Sequence, residues 1–288
     1  GTSTSEGFLS RSVDGATIVL GGYDKAPGGT SPNSDPPATT NRVVGRVTAG
    51  GTVDTSTALN DPTGNIRGAA STNGTDLWFT TSTSGMRYTT LGTVGATTQI
   101  SASPTNLRAP SIFGGQLYSS SQSGAFRLAS IGTGTPTTSG QTTTNLPGFP
   151  TGTGSPYGHF FADLDAGVAG VDTLYVADDT LGIQKWSLVG GTWTANGTAG
   201  STPFTRGLTG VVNGTTVTLY STIQTGLLVL TDATGYNMTI PDTATLVATA
   251  GTNTFFRGIA LTPVSAGPSP TPSPTPTASR PPCVASRR

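Results

Sequence analysis

Residues 204–232, FTRGLTGVVNGTTVTLYSTIQTGLLVLTD, decide how the rest of the chain is read. They predict a strand ending at Val212, a turn at Asn213-Gly214 and a strand around Val217–Ser221. A second turn near Gln224–Gly226 and a strand over Leu227–Thr231 follow. Asn-Gly between alternating apolar residues is a strong hairpin signal, because both central residues of a type I′ turn need φ > 0. The stretch therefore reads as an antiparallel meander.

The same pattern recurs. Residues 66–91 (IRGAASTNGTDLWFTTSTSGMRYTTL) and 107–131 (LRAPSIFGGQLYSSSQSGAFRLASI) repeat its strand, turn, strand and turn, and residues 255–264 (FFRGIALTPV) repeat only the opening strand. With the basic residue as marker, Arg67, Arg108, His159, Arg206 and Arg257 recur at spacings of 41, 51, 47 and 51 residues. In the first unit the Asp14-Gly15 turn aligns with Asn73-Gly74 and puts Phe8 at the marker position. Recurrence at such a period is the signature of a propeller, with four strands to a blade. The fold predicted is all-β: a β-propeller of about six four-stranded blades, with seven as the alternative. Blades are expected near 8–59, 66–101, 107–145, 157–198 and 206–250, with 254–264 as the first strand of a closing blade.

Composition agrees. Of 288 residues 33% are hydrophobic and 41 are Gly, which suits short strands and tight turns. Net charge is zero, with Lys25 and Lys185 the only lysines and Glu6 the only glutamate, so the basic stripe that nucleic-acid binding needs is lacking. No run approaches the ~18 apolar residues of a membrane span. The single cysteine, Cys283, lies in a Pro/Ser/Thr-rich tail, 265–288, which reads as a stiff polyproline II spacer. A start at Gly1 without Met suggests a processed product or fragment, and low charge with abundant Thr and Ser suggests an extracellular setting.

Several residues are candidates for chemistry. If first strands line a channel, Arg67, Arg108, His159, Arg206 and Arg257 form a ring that either binds an anion or carboxylate sugar through guanidinium forks or bonds neighbouring blades. Asp163, Asp165 and Asp172, in ADLDAGVAGVD, resemble the calcium loops of integrin-type propellers, the other reading being a turn with solvated carboxylates. Trp186 and Trp193 offer either a sugar-stacking platform or packing between blades. Asn73, Asn196, Asn213 and Asn237 begin N-glycosylation sequons, and the first three also read as hairpin turns. Catalytic signals are few: one histidine, no GxSxG and no histidine cluster. His159 with Asp163 is the one conceivable base.

The strings EGFLSRSVDG, NRVVGRV, LYVADD, GIQKW, RGLTGVVNG and NTFFRGIALTP, spread over Gly7 to Pro263, resemble a group of uncharacterised secreted propeller-like proteins of bacteria and algae. The tail, PSPTPSPTPTASRPP, is similar to the Ser/Thr-Pro stalks of hydroxyproline-rich cell-wall glycoproteins. The resemblance implies an extracellular or cell-surface protein and carries over no activity. The reading is a structural or adhesion module, a subunit of a surface fibre or wall layer. A carbohydrate-binding propeller is the alternative, and an enzyme such as a polysaccharide lyase centred on His159 a third. Because the last unit has only its first strand, ring closure is expected to use strands outside this stretch of chain or donated by another copy.

Overall fold

The computed structural model describes residues 4–28, 30–200 and 204–265. Most of the Pro/Ser/Thr tail, with Cys283, lies outside the described residues. The chain is an all-β propeller whose strands follow one another outward in each blade. Blade 1 comprises β1 (Leu9–Arg11), β2 (Thr17–Tyr23), β3 (Arg42–Thr48) and β4 (Val53–Leu59). Blade 2 comprises β5 (Ile66–Ser71), β6 (Asp76–Thr81), β7 (Met86–Thr90) and, after the short β8 (Val94–Gly95), β9 (Thr98–Ser101). β8 leaves its own blade and pairs parallel to β4, tying blade 2 to blade 1 at the rim.

Blade 3 is β10 (Leu107–Phe113), β11 (Gln116–Ser121), β12 (Leu128–Ile131) and β13 (Thr143–Asn145). Blade 4 is β14 (Pro156–Ala162), β15 (Thr173–Asp178), β16 (Gly182–Val189) and β17 (Thr192–Ala199). Blade 5 is β18 (Gly207–Asn213), β19 (Thr216–Ile223), β20 (Gly226–Asp232) and β21 (Thr245–Thr249). No helix among the described residues is long and apolar enough to cross a membrane.

Turn chemistry explains the hairpins. Phe113 pairs with Gln116 across Gly114-Gly115, whose φ values of 54° and 74° are those a type I′ turn demands. The turn after β18 lies one residue later than expected: Asn213 pairs with Thr216, leaving Gly214-Thr215 as the loop. Asn196-Gly197 is no turn and lies inside β17, because the chain has already reversed at Gly190-Gly191.

The core lies between blades. Strand alternation gives each sheet two faces, and both are apolar where a neighbour packs. Val19, Val44 and Leu59 of blade 1 meet Ile66, Leu77 and Phe79 of blade 2. Trp78, Met86 and Ile100 meet Leu107, Leu117 and Ile131 of blade 3. Tyr175, Ala177 and Ile183 of blade 4 meet Leu208, Leu219 and Leu230 of blade 5.

The expected six or seven blades are corrected to five blades of four strands. The marker at Arg257 suggested a sixth unit, but the described residues after it supply the length of one strand only. Residues 254–264 run extended along the inner ring between blades 5 and 1. Phe256 N–H donates to Gln224 O (3.1 Å), Gly258 N–H to Gly7 O (2.9 Å) and Val264 N–H to Gly15 O (2.9 Å). Inner strands of the other neighbouring blades pack directly on one another, whereas between blades 5 and 1 this segment intervenes.

Candidate functional site

The inner strands meet at one level around the axis. Phe8 N–H donates to Arg67 O (3.1 Å) and Gly158 N–H to Arg206 O (2.8 Å), in the same way as Gly258 to Gly7. The hydroxyls of Thr80 and Thr222, each paired with its blade's inner glycine, Gly68 or Gly207, donate to the carbonyls of Arg108 and Arg257. These bonds place Arg67, Arg108, Tyr157, Arg206 and Arg257 in equivalent positions. His159 was expected in this ring and lies two residues further along its strand; in blade 1 the equivalent residue is Gly7 and not Phe8.

The recurrent Arg-Gly pair has a packing cause. A Cβ on Gly158 would lie 2.7 Å from Arg206 O, one on Gly207 2.8 Å from Arg257 O, and one on Gly258 2.3 Å from Leu9 N. The glycines mark where neighbouring strands touch.

At this mouth the arginines face protein. Arg108 donates to Ser155 Oγ (2.9 Å), Pro156 O (3.0 Å) and Gln122 Oε1 (2.7 Å). Its guanidinium lies 3.9 Å from the Tyr157 ring centroid, and that of Arg206 lies 4.9 Å from it. Arg206 also grips Asp179 through Nε (2.8 Å) and Nη2 (3.0 Å) and donates to Thr4 O (2.7 Å). Ser5 Oγ and Tyr157 OH share a hydrogen bond of 2.9 Å, and Glu6 accepts from Tyr23 OH (2.6 Å) and Asn65 Nδ2 (2.5 Å). Residues 4–6 thus cover this end of the axis. Burial lowers the pKa of Arg67, and pushes that of Arg108 down to about 10 with the help of Arg67 and Arg206. Arg257 lies at the edge, its guanidinium 5.8 Å from the Phe255 ring.

The other end of the axis is open. A cavity of about 310 Å³ is walled by all five inner strands and residues 259–261. Its walls are more apolar than polar, with Leu9, Ile112, Phe160, Leu208 and Ile259 beside Ser10, Ser111 and Thr209, and its ionisable side chains are Arg11 and His159. His159 is 5% exposed. Its Nε2 is 2.5 Å from Ser111 Oγ on the neighbouring blade, and its Nδ1 is 3.3 Å from Tyr157 O. Burial pushes its pKa down to about 4, outweighing the Tyr157 carbonyl, so the ring is neutral near pH 7. Nδ1–H then donates to the Tyr157 carbonyl, and Nε2 accepts from the Ser111 hydroxyl. Asp163, the expected partner of His159, is exposed on the loop after β14. Ser111 was missed because its partner stands 48 residues away on another blade.

The acidic loop of blade 4 is organised around Asp172, which is fully buried. Its carboxylate accepts from Leu164 N–H (3.0 Å), Asp165 N–H (2.6 Å) and Thr173 Oγ1 (2.7 Å). Asp165 accepts from Gly167 N–H (2.9 Å). Of the carboxylates proposed for calcium, Asp165 and Asp172 are spent on the turn and Asp163 is exposed, and no group of three His, Cys, Asp or Glu among the described residues is placed to hold a metal ion.

Trp186 and Trp193 are 7% and 5% exposed, so they are not a surface platform. They pack with Phe149 and Phe161 between blades 3 and 4. Among the sequons, Asn73, Asn213 and Asn237 are exposed and Asn196 is half-buried. Asn73 Oδ1 accepts from Thr75 N–H (2.8 Å) and Asp76 N–H (2.9 Å), and Asn196 Nδ2 donates to Asn237 Oδ1 (3.2 Å).

No protein-family profile and no curated protein matches the chain in sequence. Solved structures do resemble it in shape. A chain of the nidogen/laminin complex superposes with a TM-score of 0.53 at 14% identity, covering 90% of this chain and 85% of that one. The Cps50 (Swd1) β-propeller domain of Myceliophteria thermophila gives 0.51 at 10% identity, with 91% of each chain covered. A candidate 6-phosphogluconolactonase of Bacteroides uniformis gives 0.51 at 16% identity, covering 85% of this chain and 70% of that one. At such identities the likeness establishes the fold alone, and the fold it establishes is the β-propeller.

Proposed function

We propose that the protein is an extracellular structural module, a subunit of a surface fibre or wall layer, that joins neighbouring copies through the open position between blades 5 and 1. The observation that carries this reading is the segment 254–264. It sits where the inner strand of a further blade would sit, and no described strand pairs with its outer side.

The surfaces on either side suit added strands. Blade 5 turns Leu208, Leu219 and Leu230 toward blade 4, so the alternate residues Val211, Tyr220, Leu227 and Val229 face the open position. On blade 1, Val19 and Val44 face blade 2, and Ile18, Leu20 and Val47 face away from it. None of these outward residues is fully buried. Exposed strand edges are normally blunted by lysine, inward charges or proline within the strand. Within the segment, Gly258–Thr262, GIALT, carries none of these, Arg257 and Pro263 lying at its two ends. A contact between two different surfaces of identical subunits propagates head to tail, which is how fibres form.

Sedimentation velocity across a concentration series tests this reading. Wild type assembles as concentration rises, and Val229→Asp, which charges the docking face without touching the inner ring, stays monomeric with an unchanged far-UV spectrum. A wild type that remains monomeric into the high micromolar range, with no filaments by electron microscopy, would sink the proposal.

A further inference from the structure

The Ser111–His159 pair is used by none of the above. We infer that it is a nucleophilic site for small carboxylic esters, opening on the axial cavity.

Four features of the structure converge on this chemistry. The first is the pair itself: the Ser111 hydroxyl donates to His159 Nε2 over 2.5 Å, the geometry by which a neutral imidazole activates an alcohol. The second is the orienting bond from Nδ1 to Tyr157 O, which fixes the tautomer that leaves Nε2 free to accept. The third is access, since both residues line a cavity of about 310 Å³ whose mostly apolar walls suit a compact acyl group.

The fourth is a donor for the developing oxyanion. Phe113 and Gln116 close a two-residue hairpin and are a hydrogen-bonded pair, so Ile112 and Leu117 are the non-bonded pair next to it. Leu117 N–H accordingly turns away from β10 and donates to Gly134 O (2.9 Å). By the same alternation the Ile112 N–H turns toward the axis, one residue after the nucleophile, where such a donor stabilises a tetrahedral intermediate. Arg11 is the only other ionisable side chain lining the cavity, and no carboxylate among the lining residues opposes the same oxyanion.

The reaction balances with water alone. Ser111 Oγ bonds to the ester carbonyl carbon as its proton passes to His159 Nε2. The bond to the alcohol oxygen breaks, and the imidazolium returns the proton to that oxygen. A water molecule, losing its proton to the same nitrogen, then attacks the acyl-serine and releases the acid and Ser111. A backbone carbonyl behind Nδ1 stabilises the imidazolium less than a carboxylate would, so turnover is slow and the acyl-serine is formed stoichiometrically.

Two measurements on the full chain test this. A fluorophosphonate probe should modify wild type at one site, identified as Ser111 by peptide mass, and Ser111→Ala should lose the label. Hydrolysis of p-nitrophenyl acetate should fall at least ~100-fold in Ser111→Ala, and kcat/KM should be flat from about pH 5.5 to 8 because the base is already free there. An unlabelled Ser111 in folded wild type, a label on another residue, or a rate that climbs through pH 6–9 would overturn the assignment.

Discussion

His159 makes the stability of this propeller a function of pH with a single source over a defined window. It is the only histidine in the chain. Its native pKa lies at about 4 against 6.5 when exposed, because the buried ring has no carboxylate to hold a charge against. Between those values the unfolded chain takes up a proton that the native state refuses. The stabilisation is therefore complete above pH 6.5 and is lost as the pH falls toward 4, with a slope approaching ~1.4 kcal/mol per pH unit near pH 5 and a total of about 3 kcal/mol. Urea unfolding at intervals from pH 7.5 to 4.5 measures the loss, and histidine-selective carbon-13 labelling follows the one imidazole directly. In His159→Gln the dependence above pH 5 should vanish, since carboxylates with ordinary unfolded values near 4 do not titrate there. Stability that stays flat from pH 6.5 to 5 in wild type, or an imidazole signal with a midpoint near 6.5, would refute the claim that burial keeps the ring neutral in the native state.

Gly258→Ala tests ring closure: its Cβ would sit 2.3 Å from Leu9 N and 2.4 Å from Gly7 O, backbone atoms that must move. A cost of ~3 kcal/mol, roughly 6–12 °C in Tm by calorimetry, is expected. Gly22→Ala, where nothing lies within 4 Å of the new atom, should leave Tm nearly unchanged. Asp232→Asn strands the buried Lys185, whose Nζ lies 2.7 Å from the carboxylate, and should cost ~3–5 kcal/mol by denaturant unfolding. Burial alone would raise the Asp232 pKa, but bonds from Lys185, Thr234 and Tyr175 outweigh it and hold it low. That contribution is present above the ordinary carboxylate range and disappears only as the pH falls through the lowered native value.

Legibility in the sequence followed the range of each interaction. Hairpins are local, and Gly114-Gly115 announced its turn within a few residues, as the left-handed φ at both positions requires. Asn196-Gly197 carried the same signal falsely. Its neighbours are already paired along β17, and Asn196 bonds Asn237 instead of turning the chain. Tryptophans 186 and 193 gave no sign of their facing, since alternation does not say which face of a sheet another sheet will cover. Blade number was misjudged because the marker at Arg257 was counted as the start of a sixth blade, whereas its lone segment lies between blades 5 and 1. Alignment on the basic residue also misplaced His159, because the residue fixed by contact is the glycine that follows. Taking Gly158 as the equivalent of Gly68, Gly207 and Gly258 would have put Tyr157 in the ring.

Tyr157 shows why that ring is not simply arginine throughout. The markers Arg67, Arg108, Arg206 and Arg257 are each held by a backbone carbonyl that receives a bond from the neighbouring blade, so the architecture repeats the strand and not the charge. Guanidinium groups brought to one level of a narrow axis repel one another; Arg67 and Arg206 both work against the charge on Arg108. An aromatic ring between Arg108 and Arg206 removes one cation and presents a π face to each of its neighbours, an attraction that grows as water is excluded. Asp179 pairs with Arg206, whereas Glu6, bonded to Tyr23 and Asn65, acts on Arg67 only through its charge. The arginine end of the axis thus sets two carboxylates against four guanidinium groups, and residues 4–6 cover it. Ligand chemistry is left to the opposite end, where His159 and Ser111 meet above an open cavity.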